Sequence, residues 1–273
     1  MATIVDIETT VDLLEREWSA VADMFAGVTE EQYALPTCLP GWSVKDQLAH
    51  MAGVEMMLDG VPTPEVDVSH LTHLRNDVAR MGEVWVESMR PLPGLEVLER
   101  FAAITAARLA ALRAMTQADF DAPSWTPAGP DETYGRFMRI RHYDTFLHEH
   151  DVRAALGLAD RDEPGAVRFA LDETEPALGY IVGRKAGMPP GSRVRIDLTG
   201  TVEATYLVEV GQRATVVESF GDDPTVGISL PTMLFFRLTG GRQNPTPHVG
   251  TDIALSGDTD LATRLATNLA YTI

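Results

Sequence analysis

The sequence predicts an α+β protein of two domains, a helical bundle followed by a small mixed domain. Three observations predict it. Apolar residues recur at three- and four-residue spacings through most of the first 157 positions. After Gly157 a polar stretch, Leu158-Ala-Asp-Arg-Asp-Glu-Pro-Gly165, reads as a linker. Beyond it, segments alternate with period two and carry many β-branched side chains, as strands do. The domains are accordingly placed at residues 1–157 and 166–273.

The elements follow in order. Ile7, Val11, Leu14, Trp18, Val21, Ala22 and Phe25 form one apolar stripe, so residues 7–26 read as the first helix. Two prolines and a glycine break residues 34–41 into a loop. Ser43 then caps a second helix, with Asp46 at the third position, and this helix runs to about Leu58. A third helix is expected from His70 to Met89 and a fourth from Leu95 to Met115. Residues 121–131, rich in Pro and Gly, read as a loop. A fifth helix spans Thr133 to Leu156 and ends at Gly157, a natural C-cap. In the second domain a helix is expected over 166–186, kinked at Pro176. Strands are expected at 193–198, 203–210 and 213–218, a helix at 228–238, a short strand at 252–256 and a closing helix at 258–270.

Composition limits the partners. The formal net charge of −18 repels polyanions, which argues against nucleic acid and anionic membranes. Cys38 is the one cysteine, so an intrachain disulfide and a cysteine-built zinc site are both excluded. The N-terminal residues lack the basic and apolar regions of a signal peptide, and no apolar run is long enough to span a bilayer. A reducing cytoplasm is the expected compartment. Monomer and homodimer are both compatible with the sequence.

The fifth helix carries the chemistry. On a wheel centred on Ile140, Asp144, Asp151 and His148 fall within about 80° of the apolar arc. Ionised groups on a buried face need compensation. Asp144 and His148 lie one turn apart, a spacing that suits either two ligands of one metal or a hydrogen-bonded pair. Asp151, three residues beyond His148, is placed to accept the second ring N–H of an imidazole. His142 and His150 have no acid or histidine four residues away and are weaker candidates. On the second helix, His50 shares an arc with Val54 and Met57, while Asp46 and Gln47 one turn back are polar. In an antiparallel bundle, His50, Asp144 and His148 would meet as a two-histidine, one-carboxylate site with an open position, suited to zinc or another divalent ion.

These residues lie in two recognisable stretches. Leu39-Pro-Gly-Trp-Ser-Val-Lys-Asp-Gln-Leu-Ala-His-Met-Ala-Gly53 resembles the P-G-W-S-x-x-D-x-x-x-H-x-x-G signature of the DinB-like, mycothiol-dependent maleylpyruvate isomerase family. Arg139-Ile-Arg-His-Tyr-Asp-Thr-Phe-Leu-His-Glu-His-Asp-Val-Arg153 resembles that family's second motif, acid-x-x-x-His-x-x-Asp. The resemblance implies an N-terminal DinB-like antiparallel four-helix bundle and a C-terminal sterol-carrier-protein-like domain. It implies a metal, usually zinc, on His50, Asp144 and His148, where members of the family usually carry Glu at the acid position. It also implies mycothiol as the thiol cofactor and a small electrophile as substrate. The thiolate would add to the cis double bond of a maleylpyruvate-like molecule and leave after rotation, or would remain attached in an S-transferase.

A carboxylate substrate in so acidic a protein needs local cations. Arg139, Arg141 and Arg153 on the fifth helix, and Arg237 and Arg242 in the second domain, are the candidates. Arg141 and Arg153 are assigned to cofactor binding. Arg242 and Asp151 are assigned to catalysis, Arg242 because the resemblance implies an important C-terminal arginine. Singly, each arginine reads equally as a surface charge paired with a nearby acid. Trp42 reads as a loop anchor, Asp46 as a cap, Cys38 as a quiet loop cysteine and Trp85 as core. Two other functions stay open. One is a metal- or ligand-binding module without turnover. The other is a metal-dependent hydrolase with Asp151 or Glu149 as general base.

Overall fold

The computed structural model describes residues 2–72, 74 and 76–272 and divides the chain into two compact units, 1–160 and 161–273. Unit one is built on four long helices: α1 (Ile7–Phe25), α3 (Val44–Leu58), α5 (Gly94–Arg113) and α7 (Tyr134–Leu156). Both α1 and α3 pack against α5 and against α7, so the four close round a common core. That core takes Leu14, Trp18 and Phe25 from α1, Leu48 and Met51 from α3, Phe101 from α5 and Met138 from α7. The α1 residues are those of the stripe the apolar spacing predicts, whereas α3 buries Leu48 and Met51 more deeply than the expected arc of His50, Val54 and Met57. The helix α4 (Asp77–Met89) packs on α3, while α2 (Glu30–Tyr33) and α6 (Gln117–Phe120) are single turns with capping boxes.

Several boundaries differ from the sequence reading. The third expected helix begins at Asp77, not His70, because Asn76 caps its first turn through Ala79 N–H. Residues 73 and 75 of that expected segment lie outside the described ones. The expected loop at 121–131 contains an antiparallel hairpin of β1 (Pro123–Thr126) and β2 (Gly129–Thr133). Its strands are too short to show alternation.

The wheel centred on Ile140 is also corrected. Ile140 is only half-buried, and α7 is buried on nearly every side, with Arg139, Arg141, His142, His148, Glu149, His150 and Asp151 all inside. A polar helix in that position has to pair its charges internally. It ends as expected at Gly157, whose φ of 68° is the left-handed conformation that closes a helix.

Unit two is a five-stranded sheet in the order β5-β4-β3-β6-β7, with helices packed on it. Its strands are β3 (Arg193–Thr199), β4 (Ala204–Val210), β5 (Ala214–Val217), β6 (Val226–Pro231) and β7 (Ala254–Gly257). β3 and β6 run parallel, and the other pairs are antiparallel. The register aligns Val194, Ile196 and Leu198 of β3 with Val226, Ile228 and Leu230 of β6, which makes one apolar face. The expected helix at 228–238 is therefore half wrong: β6 runs to Pro231, and α10 (Thr232–Thr239) starts only there. The expected helix at 166–186 breaks at Pro176, as predicted. α8 (Pro164–Thr174) gives way to a tight turn at Glu175–Ala177, then to α9 (Leu178–Tyr180) and a wide turn at Ile181–Lys185. The closing helix is α11 (Thr259–Ala266). Among the described residues no helix is long and apolar enough to cross a membrane.

Candidate metal centre

Ser43 caps α3 in a reciprocal box with Asp46, which leaves His50 one turn further along the helix. From there His50 faces the middle of α7. One ligand atom from each of His50, Asp144 and His148 lies within 4.8 Å of the others. His50 Nε2 is 3.2 Å from Asp144 Oδ2, and His148 Nε2 is 3.5 Å from Asp144 Oδ1. Two donors bound to one zinc at 2.0–2.1 Å in tetrahedral geometry stand about 3.3 Å apart. The spacing therefore fits a small divalent cation, and the donor set fits zinc. The side chains of His50 and Asp144 are 14% and 29% exposed, so the cluster is open on their side.

The two imidazoles are held differently. His148 Nδ1 donates to Gln47 Oε1 at 2.5 Å, leaving the Nε2 lone pair to the cluster. This corrects the expected acceptor. Asp151 lies farther away, 3.6 Å from His148 Nδ1, and its Oδ1 accepts from Cys38 Sγ at 3.1 Å. His50 is oriented by packing. Its buried Nδ1 has no hydrogen-bond partner, and a Cβ on Gly82 of α4 would stand 3.2 Å from it. Trp42 covers both rings, with centroids 5.1 Å from His50 and 5.7 Å from His148. Its indole N–H donates to the buried Glu83, which in turn meets Arg90. The tryptophan thus anchors its loop, as the sequence suggests, and also roofs the cluster.

Asp144 is charged by design of its surroundings. Burial pushes its carboxyl up, but the Arg141 guanidinium, the largest opposing influence, holds it well below the usual carboxylate range. Arg141 Nη1 donates to Asp144 Oδ2 at 2.6 Å and its Nε to Glu55 Oε1 at 2.9 Å. Glu55 also accepts from Arg108 Nε at 3.2 Å, and Arg108 reaches Tyr134 Oη at 2.8 Å. Burial opposes the Arg141 charge, yet Asp144 and Glu55 outweigh it and raise its pKa.

The arginines assigned to a cofactor are both paired with acids. Arg141 is buried between two carboxylates, and Arg153 Nε donates to Glu149 at 2.6 Å. Arg242 belongs to unit two, where its Nη1 donates to Gly240 O at 2.6 Å. Gln47, Glu55 and Arg108 take part in the site without having been assigned a role from the sequence. A signal for two of them exists. Glu55 continues the Leu48, Met51, Ala52 stripe of α3, and Arg108 continues the Phe101, Ile104 stripe of α5. A charge on an apolar stripe calls for a buried partner.

Residues 14–153, which include all three candidate ligands and these supports, match the model of the mycothiol maleylpyruvate isomerase N-terminal domain. The chain belongs to that family. Two solved structures resemble it over both units. A crystal structure of the mycothiol-dependent maleylpyruvate isomerase superposes with a TM-score of 0.60 at 16% identity, covering 94% of this chain and 96% of that one. A histidine-to-alanine mutant of that enzyme gives 0.59 at 15% identity with the same coverage. At these identities the likeness shows a common fold. No curated protein matches the chain. In this member of the mycothiol maleylpyruvate isomerase family, the Asp144 carboxylate lies within reach of both imidazoles.

Proposed function

We propose that this protein is a mycothiol-dependent isomerase or S-transferase acting on a small, maleylpyruvate-like electrophile. The centre would be a divalent ion, zinc first, held by His50, Asp144 and His148. The observation that carries the reading is the convergence of these three side chains, from two distant stretches, with spacings that suit one ion. Such an ion, when bound, supplies Lewis-acid activation that keeps a coordinating thiol deprotonated at neutral pH.

The chain's own residues do the rest. Asp144, held ionised by Arg141, offers a negative donor. Gln47 engages the His148 Nδ1 and so turns Nε2 to the cluster. Trp42 covers one side of the two rings and limits water there. The exposure of His50 and Asp144 leaves the other side open, which favours turnover over a sealed structural site. Of the two general bases open to the hydrolase alternative, Glu149 is committed to Arg153, which leaves Asp151.

The test couples metal analysis to a titration with mycothiol, followed by turnover of maleylpyruvate. Chelation or His148→Ala should abolish both metal content and turnover. Arg242→Ala should lose turnover and keep its metal if that arginine serves the substrate. Unchanged turnover in the metal-free protein would refute the reading.

A further inference from the structure

Gln47 sits on α3 one turn before His50 and is fully buried. Its amide has two possible orientations, and they present opposite faces to His148. With Oε1 towards His148, the ring must carry its proton on Nδ1, and Nε2 keeps the lone pair that faces Asp144. With the amide nitrogen towards His148, Nδ1 must accept, so the proton moves to Nε2 and blocks that nitrogen as a ligand.

The chain decides between them through Thr37, in the loop before α3. Gln47 Nε2 donates to Thr37 Oγ1 at 2.8 Å, and the Thr37 hydroxyl donates to Trp42 O at 2.9 Å. The Leu39 N–H also points at Thr37 Oγ1, at 3.3 Å. With its proton committed to Trp42 O, the Thr37 oxygen can only accept. A flipped amide would set its own oxygen there and draw the hydroxyl proton away from Trp42 O, so the observed orientation keeps one more hydrogen bond than the flipped one. The backbone bond from Thr37 N–H to Trp42 O, at 3.0 Å, fixes the acceptor that starts the series.

We propose that Thr37 and Gln47 are positioning residues, a hydrogen-bonded relay from the Trp42 carbonyl that fixes the His148 tautomer and so presents Nε2 to the cluster. The relay rests on the metal-centre reading for its use; what the geometry fixes is the Nδ1 side of the ring, where Gln47 Oε1 accepts, so that Nε2 is the nitrogen turned to Asp144 and the cluster. Asp151, 3.6 Å away, is too far from Nδ1 to take over the bond without movement.

The experiment reads the tautomer directly, by long-range nitrogen–proton NMR of the metal-free full-length chain with labelled histidine. Zinc affinity is then measured by competition with a chelator. The wild type should show His148 protonated on Nδ1. Gln47→Leu should lose that single tautomer and weaken zinc by about 10–100-fold, the usual effect of removing such a partner. Thr37→Val, which keeps the side-chain volume and removes the hydroxyl both as the acceptor for Gln47 and as the donor to Trp42 O, should give a mixed tautomer and an intermediate loss. Thr37→Ser should restore both. A single Nδ1–H tautomer in Gln47→Leu or in Thr37→Val, with wild-type zinc affinity, would overturn the relay. If the wild type binds no zinc but the variants still lose the tautomer, the metal reading fails and the relay stands. If Gln47→Leu does not fold, the two Thr37 variants decide.

Discussion

Glu55 is the hinge of the electrostatics at the residue scale. It has no exposed side-chain surface and is shared by Arg108 and Arg141, each 4% exposed. Through Arg141 it reaches Asp144, so one carboxylate steadies the cation that steadies the candidate ligand. Removing its charge would strand two buried guanidinium groups with reduced compensation. Breaking a buried pair in this way costs about 3–5 kcal/mol, far more than a surface pair is worth. Glu55→Gln should therefore lower stability by about that amount in urea unfolding. Glu96→Gln is the control: its pair with Arg100 is 42% exposed, and its loss should change stability by less than about 1 kcal/mol.

At the scale of elements, the position of His50 depends on how closely α3 and α4 approach. Gly53, one turn after His50, is the contact. A Cβ added there would stand 2.3 Å from Trp85 Cβ and 2.7 Å from Trp85 Cγ. Those atoms are the root of the side chain, so rotating the ring gives no relief and the helices must separate. Gly53→Ala should cost about 1–3 kcal/mol despite the better helix propensity of alanine. It should also weaken metal uptake, because α3 carries His50 and Gln47. Thermal unfolding and the chelator competition read the two effects. Gly27→Ala is the matching control, since a Cβ there meets nothing within 4 Å.

At the scale of the whole molecule, the candidate metal centre is drawn from the first unit alone. Every candidate ligand, the Thr37–Gln47 pair and the Glu55 network lie within residues 1–160. A fragment of those residues should fold as a helical unit and bind zinc with an affinity within about tenfold of the whole chain, since the donors and the residues that orient them are retained. Circular dichroism and the same competition assay check this. Failure of the folded fragment to bind would place part of the centre outside the unit. The net charge of −18 acts over the whole surface, and local cations such as Arg141 are already neutralised by acids, so an anionic substrate depends on whatever positive charge the site concentrates.

The sequence by itself determined what is periodic or local. The stripe of α1, the Ser43–Asp46 cap, the Gly157 stop and the break at Pro176 each follow from neighbours within one or two turns. So does the Asp144–His148 spacing on α7. Tertiary structure decided what depends on a partner far along the chain. β6 alternates over Val226, Ile228 and Leu230, but it passes with no intervening loop into the apolar α10, so the sequence reading carried the helix back to residue 228. Its identity as a strand comes from its neighbours. The Glu55–Arg108–Arg141 network and the Gln47 amide were likewise beyond local reading. A buried charge or amide announces that it needs a partner, but which residue supplies it is fixed only when α3, α5 and α7 come together.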